Sequence, residues 1–120
     1  MTVRRMKSYT GQTGYVYQYY FVGKRPALPN APESPAFEYV FDVTADREKF
    51  FAVSIFLRDE ALSAWATAHG RGLSDAEQYA AVKLRLFAAF DDVDQLQASE
   101  RRFSVGSENI QDLLDSLDLG

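Results

Sequence analysis

"FFAVSIFLRDEALSAWATAH", residues 50–69, changes period halfway along, and that change decides the fold class. Up to Leu57 the residues alternate. Phe51, Val53, Ile55 and Leu57 fall on one side and Phe50, Ala52, Ser54 and Phe56 on the other, as in a β-strand. From Arg58 the pattern becomes helical. The acids Asp59 and Glu60 open the segment, where they suit the positive end of a helix dipole, and Gly70 ends it.

Upstream of this switch the chain reads as strands. "YVYQYYFV" (15–22) is rich in β-formers and alternates only loosely, as a strand with two partly apolar faces would. "FEYVFDV" (37–43) sets Phe37, Tyr39, Phe41 and Val43 against Glu38, Val40 and Asp42. The polar link "TADREK" to the strand at 50–57 reads as a hairpin loop. Between the first two strands lie all four prolines, at 26, 29, 32 and 35. A period of three fits polyproline II, and the segment reads as a stiff connector, because the basic anchor of a proline-rich recognition ligand is missing.

Downstream the chain reads mainly as helices. In "LSDAEQYAAVKLRLFAAF" Ser74 and Glu77 form a capping box, and Tyr79, Val82, Leu86 and Phe90 make one apolar stripe. "RRFSV" (101–105) is a candidate short strand. An acidic helix over 107–120 places Ile110, Leu113, Leu114 and Leu117 on one face, which suits either the domain's own core or a partner's groove. The order is therefore β-β-β-α-α-(β)-α. It predicts one α+β domain over 1–120: an antiparallel sheet of three strands, or four with the bracketed one, with helices packed on one face. A parallel nucleotide-binding sheet would need strands and helices to alternate.

Composition narrows the function classes. A chain of 120 residues, 47% hydrophobic and 14% aromatic, is neither a disordered nor a fibrous sequence. It contains no apolar run of membrane-spanning length, and its first residues have no apolar stretch of the kind a secretory signal needs, so a cytoplasmic protein away from membranes is the expectation. The absence of cysteine excludes thiolate catalysis, disulfides and cysteine-ligated metals, and a single histidine removes any multi-histidine site. That histidine, His69, sits in the last turn of its helix, where it suits the free carbonyls. Neither "GQTG" nor "HGRG" matches a phosphate-binding loop. No cofactor or metal is expected, and the balance leans against an enzyme.

Three features remain as candidate sites. Net charge is −4, yet residues 1–32 hold five cations, Arg4, Arg5, Lys7, Lys24 and Arg25, and no acid. Residues 1–13 then read as a basic arm, and these cations as candidate anion contacts. Lys83 has Tyr79, Ala80, Leu86 and Phe87 three and four residues away, an apolar setting for an ammonium. Either it meets a carboxylate such as Glu38 or Asp42, or sits in a small-molecule or enzymatic pocket, or its stem lies along the core edge while its head reaches water. Finally, the sheet has more aromatics than one face can use. Tyr15, Tyr17, Tyr19, Tyr20, Phe50 and Phe56 are the candidate partner surface. The expected partner is a second copy or another protein, through that face or an edge strand. A nucleic acid, held by the basic segment and the tyrosine strand, is the alternative. Glu38 and Asp42 on the same face speak against it.

Overall fold

The computed structural model describes residues 6–11, 14, 16–27, 35–92, 96 and 101–115. Strands β1 (Lys7–Thr10), β2 (Val16–Pro26), β3 (Ala36–Thr44) and β4 (Phe51–Arg58) come first. Helices α1 (Asp59–His69) and α2 (Asp75–Asp92), strand β5 (Arg102–Val105) and helix α3 (Ile110–Asp115) follow. The fold is α+β, as the period change predicts. The sheet has five strands in the order β1-β2-β3-β4-β5 rather than three or four. It is mixed, because β5 runs parallel to β4. That direction follows from the connection: a chain that leaves β4 and returns beside it through helices comes back parallel. The other addition is β1. It lies inside the segment expected as a basic arm, and pairs antiparallel with β2 from Lys7 opposite Tyr19 to Thr10 opposite Val16.

One face of the sheet, the inner face, carries the core. Tyr17, Tyr19, Tyr39, Phe41, Val53 and Ile55 are all buried there. The helices close over it, and Trp65 of α1, Leu86 and Phe90 of α2 and Ile110 of α3 join the same cluster. Phe90 stacks on Tyr17 at 4.5 Å between ring centroids, and Phe87 stacks on Tyr9 at the same distance. The leucine face of the last helix thus serves the protein's own core as far as Leu114. Residues 116–120 of that expected helix lie outside the described residues.

Local signals fix the ends of the elements. At α2, Ser74 Oγ accepts the Glu77 N–H at 3.2 Å, and the Ser74 N–H donates to Glu77 Oε1 at 2.8 Å, which completes the capping box. Helix α1 ends at Gly70, whose left-handed φ of 72° lets its N–H reach the Ala66 carbonyl. The β3–β4 loop is pinned by Thr44 Oγ1, which accepts from the Arg47 N–H, and by Asp46 Oδ1, which accepts from the Glu48 and Lys49 N–H groups.

An irregularity in β2 decides which cation faces which way. Phe21 pairs with Phe41, but Gly23 pairs with Val40, so one extra residue is inserted at Val22. The insertion turns Lys24 to the inner face, where its ammonium lies 4.5 Å above the Phe37 ring and 5.4 Å from Tyr39. Arg25 turns to the outer face. The proline ridge is only partly in view: Pro26 closes β2 and Pro35 precedes β3, while Pro29 and Pro32 lie outside the described residues.

Candidate functional site

The two faces of the sheet divide the candidate residues. By register the outer face takes Gln18 and Tyr20 from β2, Glu38, Val40 and Asp42 from β3, Ala52, Ser54 and Phe56 from β4, and Arg102 and Ser104 from β5. No described helix contributes to it. Tyr17 and Tyr19 therefore leave the candidate surface, since both belong to the core. Tyr20, Phe50 and Phe56 stay on the surface. Tyr15, Arg4 and Arg5 lie outside the described residues.

The outer face mixes apolar groups with polar ones that are already partnered. Of the large apolar side chains most exposed among the described residues, Val16, Val22 and Phe50 belong to this face, at 45%, 38% and 45% exposure. Phe50 lies against Tyr20, with ring centroids 6.0 Å apart. The Tyr20 hydroxyl donates to Asp42 at 2.7 Å. Glu38 accepts from Arg25 Nε at 2.8 Å and from the Ser54 hydroxyl at 2.6 Å. The Arg25 guanidinium, with the Ser54 hydroxyl and the positive charge of Arg102, holds the Glu38 carboxyl below its ordinary value despite partial burial. Arg102 itself lies 4.8 Å above the Phe56 ring. A shallow depression of about 240 Å³, lined by Val22, Gly23, Lys24, Arg25 and Val40, opens at the β2 irregularity. Its volume falls below the usual range for an organic ligand.

Sequence reasoning counted only Glu38 and Asp42 on this face. Arg25, expected only as an anion contact flanking the strand, reaches this face through the inserted residue, and Arg102, which was not named, reaches it through a parallel strand. Neither position can be read from alternation along a single segment.

Lys83 is on the other side of the sheet. It does not meet Glu38 or Asp42, whose partners are Arg25, Ser54 and Tyr20. Its ammonium is half-buried and stands 5.7 to 5.8 Å from the rings of Tyr19, Tyr79 and Phe87. Burial first, then the Lys7 charge, pull the Lys83 pKa down. Lys7 was read as part of a basic arm. Its place beside Lys83 comes from the pairing of β1, which sets Lys7 directly across from Tyr19.

The remaining candidates are structural. His69 stacks on Trp65 at 4.1 Å and shares a hydrogen bond with Gln111 at 2.8 Å, so it joins the end of α1 to α3. Among the described residues no cluster of three or more histidines, cysteines or carboxylates could hold a metal, and no helix is long and apolar enough to cross a membrane. No family model, curated protein or solved structure gives a significant match to the chain.

Proposed function

We propose that the chain is a non-catalytic association protein that pairs with a second copy of itself through the outer face of its sheet. The observation that carries this reading is the exposure of three apolar side chains, Val16, Val22 and Phe50, on the one face that no described helix covers. A sheet face meant only for water shows a cleaner polar row. The polar groups between them add support. Glu38 is ion-paired to Arg25 and Asp42 accepts the Tyr20 hydroxyl, so neither carboxylate is buried without a hydrogen bond when the face is covered.

The face is a better candidate than the edges. Both edge strands, β1 and β5, have four residues, and in β1 Lys7, Ser8 and Thr10 are exposed. Short edge strands resist strand addition. Strand spacing and rise make the face about 20 Å by 25 Å, which suits a small isologous dimer of about micromolar affinity.

Sedimentation velocity from about 1 to 200 µM brackets that affinity. A concentration-dependent monomer–dimer equilibrium is expected, and the double substitution Val22→Glu with Phe50→Glu abolishes it. A wild-type chain that stays monomeric throughout rules the reading out. Salt-sensitive retardation of single-stranded RNA that Arg25→Ala and Arg102→Ala remove would replace it with nucleic-acid binding, since those cations stand among Tyr20 and Phe56.

A further inference from the structure

We infer that Lys7 and Lys83 together form a binding site for a dianionic phosphate group, at the seam between β1 and α2. The two cations share a neighbour: Lys7 lies directly across from Tyr19 in the β1–β2 pair, and the Lys83 ammonium of α2 stands 5.8 Å from the Tyr19 ring. Among the described residues neither amine has a carboxylate within ion-pair distance. Asp91, on the same helix, accepts the Tyr9 hydroxyl.

The rings around Lys83 do not replace a counter-ion. Tyr19, Tyr79 and Phe87 all lie near the outer limit at which a ring face attracts a cation. They do desolvate the ammonium, which makes a direct partner worth more than it would be in water. Lys7 adds a like charge that acts on Lys83, and an anion placed between the two amines is attracted by both.

The charge of the pair points to the ligand class. Two ammonium groups offer up to six N–H donors and two positive charges, and no planar fork of the kind that favours a carboxylate. A phosphate monoester or inorganic phosphate carries close to two negative charges at neutral pH on one tetrahedral centre with three strong acceptor oxygens. A monocarboxylate would satisfy only one of the two charges. The seam lies on the opposite side of the sheet from the proposed dimer face, so the two readings fail independently.

The probes are inorganic phosphate and phenyl phosphate, titrated at constant ionic strength and followed by calorimetry and phosphorus NMR, with acetate as the monoanion control. We expect saturable one-to-one binding of phosphate at about millimolar Kd or tighter, with acetate weaker. Lys83→Gln and Lys7→Gln each weaken it about tenfold or more, the loss expected for a charge-assisted hydrogen bond. Lys83→Arg, which keeps the charge, retains most of the affinity and guards against misfolding as the cause. Lys24→Gln, on the same face but seated over Phe37, leaves it unchanged. Tighter binding of phenyl phosphate identifies an organic monoester as the ligand, and equal binding identifies free phosphate. Non-saturable binding, equal weakening by Lys24→Gln, or acetate binding as tightly as phosphate overturns the inference.

Discussion

The Tyr9 hydroxyl donates to Asp91 at 2.6 Å across 82 positions of sequence, and this bond ties edge strand β1 to the last turns of α2. The ring of Tyr9 stacks on Phe87 at the same seam. The hydrogen bond to the Asp91 carboxylate first, then burial and the charge of Asp91, push the Tyr9 pKa up to about 12 from 10.0. In the unfolded chain Tyr9 ionises near its ordinary value. Between pH 10 and about 12 the folded state therefore holds the proton that the unfolded state has lost. The contribution of Tyr9 to stability is complete below pH 10 and declines as pH rises through that window. Tyr9→Phe should lower stability by about 1 kcal/mol at neutral pH. It should also flatten the alkaline slope, relative to the wild type, in urea unfolding series. An unchanged slope would mean that the bond is not formed in solution.

At the start of α2 the sign is reversed. Glu77 accepts from both terminal guanidinium nitrogens of Arg71 at 2.9 Å and from the Ser74 N–H. Arg71 first, then the Ser74 amide, draw the Glu77 pKa down from 4.5 to about 2. Its contribution is present above pH 4.5 and is lost as pH falls toward about 2. Glu77→Gln should therefore reduce the acid sensitivity of the fold in that window. Ser74→Ala, which removes the cap, should cost about 1 kcal/mol at neutral pH. Thermal unfolding monitored by circular dichroism at a series of acid pH values reads both.

What could be read in advance was local. The capping box, the stop at Gly70, and the alternation of β3 and β4 involve residues within a few positions of one another, and the structure keeps each of them. Strand β1 was not legible, because "KSYT" offers a single aromatic ring, and only its pairing with β2 defines it. The insertion at Val22 was hidden for the same reason, since cross-strand register decides which residue is extra. At Lys83 the apolar helix neighbours Tyr79 and Phe87 were visible, but Tyr19 and Lys7 come from strands. The sequence thus named both lysines, Lys83 as an odd ammonium and Lys7 as an anion contact, but not that the pairing of β1 brings Lys7 to Tyr19, beside which Lys83 stands.

Trp65 makes a separate point about buried polar atoms. It is 2% exposed, its Nε1 has no hydrogen-bond partner among the described residues, its ring stacks on His69, and the Arg71 guanidinium lies 4.9 Å from the ring centroid. A buried donor without an acceptor is a cost that Trp65→Phe removes, and this offsets part of the lost ring area. Trp65→Phe should therefore fall within about 1 kcal/mol of the wild type, whereas Trp65→Ala should cost about 3–5 kcal/mol. Denaturant midpoints separate the two. A phenylalanine variant as unstable as the alanine variant would show that the indole N–H finds an acceptor in solution.

The tyrosines of β2 provide the last test, because alternate residues of one strand are held by different physics. Tyr17 is 4% exposed and stacks on Phe90, itself 2% exposed, so truncation opens a cavity lined by rings that cannot collapse into it. Tyr17→Ala should cost about 3 kcal/mol or more. Tyr20 is half-buried on the outer face and held by Asp42 and Phe50. Tyr20→Ala exposes little that was dry, and should cost about 1 kcal/mol in the monomer. If the outer face is a dimer interface, Tyr20→Ala also weakens association, and the unfolding midpoint of the wild type rises with protein concentration while that of the variant rises less. Equal costs for the two substitutions would mean that both tyrosine rows are buried and that the outer face is not open. A Tyr20 effect confined to association would place the adhesive row of this strand on the side away from the helices.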